Sequence, residues 1–295
     1  MISINAYLEE VYSELKNQVD RGENLCELKT LSFEGGSLPD YTNVQIQRLY
    51  LLRYAFAYVF EYEAMYDEVL EKMHKPHTLS VTSIGCGSLL DYWALARVIK
   101  KRKLDSRVEY IGIDTIDWDY KIESRDEDAI TFYQGNAQQI LKDGNELQSD
   151  VYFFPKSISE FSEDEINEIA ECFKQKQICK DTIFVCISVR ANGASMERDI
   201  QRTKKIVDAL WENGFMADTE YSKYTCYTEN VGIASFGSEY DYPEEALEYV
   251  RTLNTKCISF LENGENCYSY CTCLNRYPVL KTGLIRYQVI KFERV

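Results

Sequence analysis

The segment Val81-Thr-Ser-Ile-Gly-Cys-Gly-Ser-Leu-Leu-Asp91 ends an apolar run in two glycines one residue apart. A bend of this kind brings backbone N–H groups and the start of a helix close to a ligand. Glycine is needed there because a side chain would block the approach. Asp114 stands 27 residues beyond Gly87, at the end of the next apolar run, where a carboxylate can accept both hydroxyls of a ribose. The run after that leads into Gly135-Asn136-Ala137, where a polar side chain can read the edge of an adenine. The three motifs suit a nucleoside-bearing cofactor. A hydride-transferring dinucleotide enzyme would prefer a third glycine where Leu90 stands, which disfavours that chemistry.

Groups able to work on a second substrate lie further along. In Phe153-Phe-Pro155-Lys-Ser-Ile-Ser-Glu160, Glu160 can act as a base and Lys156 as an anchor; alternatively the segment caps and solvates the next turn. Arg190, Asn192 and Ser195 follow another strand at the same rim, and loop polarity explains them equally well. Cys257, Cys267, Cys271 and Cys273 fall within seventeen residues and could bind zinc. Their spacing lacks paired C-x-x-C knuckles, so free thiols are the favoured reading. The two histidines, His74 and His77, flank Pro76 in a linker, which disfavours a histidine-based metal or catalytic pair.

These residues need a scaffold of alternating strands and helices. Apolar runs over 79–84, 108–113, 130–133, 151–154 and 182–189 read as strands. Helices are expected over 90–101, 163–176, with the capping signal Ser162-x-x-Glu165, and 196–212, closed by Gly214. Residues 215–228 are strand-rich and 284–292 read as a last strand. The alternation predicts a mostly parallel sheet covered on both faces. Before it, Ile4, Leu8, Val11, Leu15 and Val19 mark one helix, and 44–73 a longer one. The longer helix carries Tyr50, Tyr54, Tyr58, Tyr62 and Tyr66 at four-residue spacing, a stripe better explained by packing than by a substrate lid. From 229 to 283 the alternation breaks; a helix from Pro243 to about Leu261 and the cysteine cluster read as an insertion.

The chain has 295 residues, 45% of them hydrophobic, and a formal net charge of −15. Such a charge repels polyanions and makes general nucleic-acid binding unexpected. The cations Arg97, Lys100, Lys101, Arg102 and Lys103 end a helix, where they complement its dipole. The apolar stretch 54–60 is far short of the roughly 18 to 20 residues a membrane span requires. The N-terminus lacks the pattern of a secretion signal, so a reducing cytoplasm is the expected location.

At the glycine bend, Asp114 and Asn136-Ala137, the chain resembles the class I S-adenosylmethionine-dependent methyltransferases. The resemblance covers residues 78–228 and 284–293. It implies a seven-stranded Rossmann-like sheet whose last strand is antiparallel, with S-adenosylmethionine as cofactor. By position, Gly85, Cys86 and Gly87 would meet the methionine part, and Asp114 the ribose. Thr115 and Ile116 would flank the adenine, Asn136 and Ala137 would meet its edge, and Phe154 of the fourth strand is counted among the cofactor-binding residues. Ser83 stands where the family has an acid and Leu89 where it often has a third glycine. Asp91, with Tyr92 alongside, is therefore the candidate carboxylate for the cofactor's amino group; alternatively it is a first-turn helix acid. The Asn/Asp-Pro-Pro-Tyr/Phe signature of enzymes that methylate planar amino groups is missing after the fourth strand. The expected organisation is a helical cap (1–77), a cofactor-binding core (78–228 plus 284–295) and a cysteine-containing, α-rich insertion (229–283). The expected function is methyl transfer to a small molecule or protein side chain; the alternative is a catalytically silent member acting as an interaction module.

Overall fold

The computed structural model describes residues 3–22, 25, 28, 39–73, 76–144, 146–191, 193–257 and 274–295. The chain divides into two compact units. One comprises residues 1–57, 118–120 and 231–282, the other 58–117, 121–230 and 283–295.

The first unit is helical. α1 (Ile4–Asp20) starts where the Ser3 hydroxyl accepts the Ala6 N–H, and it buries Ile4, Leu8, Val11, Leu15 and Val19 as their spacing predicts. The first half of α2 (Val44–Lys72) follows, and α7 (Glu244–Arg251) returns late in the chain. α7 ends at Arg251 and is followed by a short 3-10 turn over Leu253–Lys256, so the expected helix to about 261 is shorter in its described part. Tyr12 meets Tyr249 edge-on, and the Tyr7 hydroxyl donates to the Tyr120 carbonyl. Cys267, Cys271 and Cys273 of the proposed zinc set lie outside the described residues. Cys257 is buried as a free thiol, and no metal-binding group occurs among the described residues.

The second unit carries the sheet. In chain order its elements are β1 (Thr78–Ile84), α3 (Leu90–Lys101), β2 (Arg107–Asp114), β3 (Ala129–Gln134), α4 (Ala137–Asp143), β4 (Glu146–Leu147) and β5 (Val151–Phe154). There follow α5 (Glu163–Gln175), β6 (Gln177–Ile178), β7 (Thr182–Ser188), α6 (Gly193–Glu212), β8 (Phe215–Ala217), β9 (Thr225–Cys226) and β10 (Arg286–Arg294). The sheet runs β3-β2-β1-β5-β7-β10-β8, with β9 pairing to β10; β4 and β6 form a separate two-stranded ribbon. All pairs from β3 to β7 are parallel, and β10 enters antiparallel beside β7. This is the Rossmann-like sheet, mostly parallel with an antiparallel last strand, that the sequence predicts. It has eight strands where seven were expected, because residues 215–228 break into two short strands that pair with different parts of β10.

Strand alternation divides the core. Ile84, Ile113, Tyr152, Phe154, Val185, Ile187, Ile290 and Phe292 join apolar residues of α5 and α6 on one face. Phe153 points the other way, where the ring of Tyr66 stacks on it at 4.7 Å and that of Tyr62 meets it edge-on. The tyrosine stripe of α2 is therefore a packing surface in this unit, each buried ring contributing on the order of 1.5–3 kcal/mol. The helix-end cations are tied down as well, Arg97 to Glu63 and Arg102 to Asp67.

One charge lies inside that aromatic layer. Asp91, in the first turn of α3, is wholly buried and accepts the Tyr110 hydroxyl at 2.8 and 2.9 Å, with the Tyr66 hydroxyl at 3.5 Å. Burial pushes its pKa up to about 6, against the pull of its hydrogen bonds. The folded value exceeds the unfolded one, so protonation favours the fold. This stabilisation is complete below the unfolded value and is lost as pH rises through about 6. The variant Asp91→Asn should therefore unfold at a higher temperature than the parent at pH 7.5, by a difference of about 1–2 kcal/mol, and the gain should vanish near pH 4. A gain independent of pH in thermal melts would contradict the buried-charge account.

Candidate active site

The loops after β1, β2, β3, β5 and β7 leave from the carboxyl ends of parallel strands, where such sheets gather their functional residues. The chain reverses after β1 through Gly85 (φ +76°), Gly87 (φ +53°) and Leu89 (φ +64°), all left-handed. The N–H groups of Gly85 and Cys86 donate to the Ile113 carbonyl, and Gly87 donates to Asp114 Oδ2 at 2.8 Å. Asp114 Oδ1 accepts the Ile116 N–H at 2.9 Å. The glycine bend and the β2 carboxylate are thus neighbours. Asp114 remains partly exposed; burial pushes its carboxyl above the usual range while the three backbone donors Ile116, Gly87 and Thr115 pull it back.

The reason for glycine at 85 differs from the expectation that a ligand must approach there. A Cβ at that position would lie 2.4 Å from Ser157 Cβ, so the loop after β5 fills the space. The Ser157 hydroxyl in turn donates to the Ile84 carbonyl. Gly85 therefore lets the β1 and β5 loops close on one another. Cys86 turns inward, 4% exposed, leaving its backbone as the part near the bend. Thr115 and Asn136 are exposed and Ile116 is partly so. Asn136 is the N-cap of α4, yet its side chain makes no capping bond, which leaves the amide able to meet another molecule. Ala137 is buried beside it.

Four other residues singled out in the sequence sit inside the protein. Ser83 is buried in β1 between Gly112 and Phe153, and Phe154 belongs to the core. Asp91 is committed to Tyr110. The Tyr92 hydroxyl donates to Asp128 and accepts the Arg125 N–H, holding the β2–β3 connection against α3.

On the β5 side, Lys156 adopts a left-handed φ of +59° and turns inward. Its ammonium donates to the Val189 carbonyl at 2.7 Å and pairs with Glu61 at 2.9 Å; the Ser188 hydroxyl also donates to Glu61. Lys156 is 8% exposed and engaged by these two partners, so the chain uses it to tie α2 to the ends of β5 and β7. Glu61 is a partner that sequence reading missed. An acid inside the aromatic run Phe60-Glu61-Tyr62 was its only signal.

Glu160 is different. A third of its side chain is open to solvent, yet protein surrounds it on the remaining sides and pushes its pKa up to about 7. The Arg190 guanidinium pulls the value down, while Asp114 and Asp199 push it up. Arg190 Nη2 lies 3.8 Å from Glu160 Oε1, and the Arg190 N–H donates to Asp199 Oδ2 at 2.9 Å. Ser195 is buried in the first turn of α6, and Asn192 lies outside the described residues.

No family model matches the chain, and no curated protein does. Among solved structures it is similar to the plantazolicin methyltransferase BpumL in complex with a monoazolic desmethylPZN analog and SAH. The identity is 12%, covering 98% of this chain and 99% of that one, with a TM-score of 0.43. It is also similar to a SAM dependent methyltransferase from Archaeoglobus fulgidus, at 15% identity over 79% of this chain and 94% of that one, TM-score 0.39. Against MNMC2 from Aquifex aeolicus it spans about half the length of that protein: 12% identity, 53% of this chain and 54% of that one, TM-score 0.34. Likenesses this distant leave the fold to be read from the sheet itself.

The packing of the two loops is open to direct test. Gly85→Ala combines the clash on Ser157 with an unfavourable left-handed φ and should cost about 3 kcal/mol or more in chemical denaturation. Adding Ser157→Gly should return part of that loss by removing the struck atom. Identical stabilities for the single and double variants would show that the loops do not meet here.

Proposed function

We propose that this chain is an S-adenosylmethionine-dependent methyltransferase acting on a small molecule or a protein side chain. The observation that carries the reading is the 2.8 Å contact between the Gly87 N–H and Asp114, which sets the glycine bend and a partly exposed carboxylate side by side at the carboxyl edge of the sheet. The donor set suits the nucleoside half of the cofactor. Asp114, with three backbone donors already on it, keeps acceptor capacity for a ribose hydroxyl, Thr115 and Ile116 can flank a base, and the uncommitted Asn136 amide can pair with its edge. The N–H groups of residues 85–87 are committed to Ile113 and Asp114, so the bend is proposed to offer carbonyl oxygens to the amino group of the methionine half. Asp91 is occupied by Tyr110, so it is left out of the proposed ligand set.

S-adenosylmethionine, when bound, supplies a methyl group on a positively charged sulfur. The residues of the chain must then align an acceptor, exclude water and, where the acceptor carries a proton, remove it. Glu160 is the proposed base, since a carboxylate titrating near 7 can take up a proton at neutral pH and pass it to solvent. Lys156 is proposed to position the loop carrying Glu160, through its pairing with Glu61.

Calorimetry with S-adenosylmethionine and S-adenosylhomocysteine tests the reading. Micromolar binding of both is expected, weakened at least tenfold by Asp114→Ala, which corresponds to about 1.4 kcal/mol. Binding of neither ligand would overturn the enzyme reading in favour of an interaction module. Once an acceptor is in hand, turnover should rise with pH through about 7 as Glu160 loses its proton. Glu160→Gln should remove that limb and lower the rate by roughly 10²–10⁴-fold; an unchanged profile would remove Glu160 from the role of base.

A further inference from the structure

Arg190, Arg198 and Arg286 all adjoin the start of α6. Arg190 precedes the helix, its side chain 21% exposed and its nearest carboxylate, Glu160, at 3.8 Å, beyond hydrogen-bond length. Asp199 Oδ2 accepts the Arg190 backbone N–H, and the Arg190 charge also helps to hold the Asp199 carboxyl down against its burial. Arg198 is exposed and curls back along the helix, with Nη2 3.4 Å from Ser195 Oγ. Arg286 opens β10, where its carbonyl accepts the Val189 N–H, and lays Nη1 3.4 Å from Met196 Sδ; its Nε is buried without a hydrogen-bond partner.

Most other arginines of the unit stand closer to a carboxylate. Arg97 sits on Glu63, Arg125 on Asp128 at 2.7 Å and Arg202 on Glu163 at 3.2 Å. With 48 acidic residues against 33 basic ones, carboxylate partners are plentiful. Among the described residues Arg198 and Arg286 have no carboxylate partner and Arg190 has only the 3.8 Å contact with Glu160, which leaves positive charge in excess here. The positive end of a 20-residue helix adds to it, as do the donors of its first turn. Guanidinium groups match planar or tetrahedral oxyanions by paired N–H donors.

We propose that Arg190, Arg198 and Arg286 bind an oxyanion at the start of α6, and that this anion is a carboxylate or phosphate group carried by the methyl acceptor. The anion site stands on the arginines alone; its assignment to the acceptor rests on the methyl-transfer reading. The site adjoins Glu160, so a molecule held by its anionic group presents a neighbouring nucleophile to the base.

Titration of the full chain with inorganic phosphate, followed by ³¹P NMR and calorimetry, tests the site. Saturable binding is expected, weakened about tenfold by Arg190→Gln and severalfold by Arg198→Gln, an exposed position at which folding is not at stake. Affinity for S-adenosylhomocysteine should stay within about twofold in both variants, and phosphate should not displace it. Release of S-adenosylhomocysteine, measured over matched acceptors with and without a carboxylate or phosphate, should favour the anionic member of each pair. Absence of saturable phosphate binding, or binding unaffected by either variant, overturns the anion site. Displacement of S-adenosylhomocysteine by phosphate, or turnover confined to uncharged acceptors, overturns its assignment to the acceptor. Phosphate binding that depends on the arginines, with no binding of S-adenosylhomocysteine, leaves the anion site standing while the methyl-transfer reading falls.

Discussion

The site depends on the closure of the β1 loop on its neighbours. The bend after β1 is held on one side by Asp114 through Gly87, and on the other by Ser157, which lies where any side chain at 85 would go. Two hydrogen bonds to the Ile113 carbonyl and one from Ser157 to the Ile84 carbonyl complete the junction. Each contact joins the end of one parallel strand to the end of the next. Remove the junction and Asp114, Asn136 and Glu160 stand on three independent loops.

Behind the junction lies a layer of buried charge that fixes the loops from below. Asp91 is held by Tyr110 under α3, and Lys156 by Glu61 and the Val189 carbonyl. A buried ion pair gives weak net stability, but removing one member leaves a charge in a poor solvent, so such pairs specify a single arrangement. The left-handed φ of Lys156 fits that role, since a non-glycine residue keeps this conformation only where its surroundings impose it.

The strands and their order were legible because buried parallel strands read as continuous apolar runs broken by glycine and acid, as over 79–87 and 108–114. The capping box at Ser162 and Glu165 was read from local spacing, and the structure contains it. Side-chain direction was the illegible part. Nothing in the local pattern says that Asp91 and Tyr92 face inward while Asp114 keeps an open edge, because the partners Tyr110 and Asp128 come from other strands and loops. Glu61 and Lys156 lie 95 positions apart in the chain, and only the tertiary fold reveals that they meet. The division of residues 215–228 into two short strands was equally invisible, since each owes its existence to pairing with β10.

The carboxyl groups of Glu61, Asp91, Asp114, Glu160 and Asp199 are all shifted upward, chiefly by burial. Mild acidification therefore loads protons onto this buried set of carboxyls, and the field at the carboxyl edge of the sheet becomes steadily more positive.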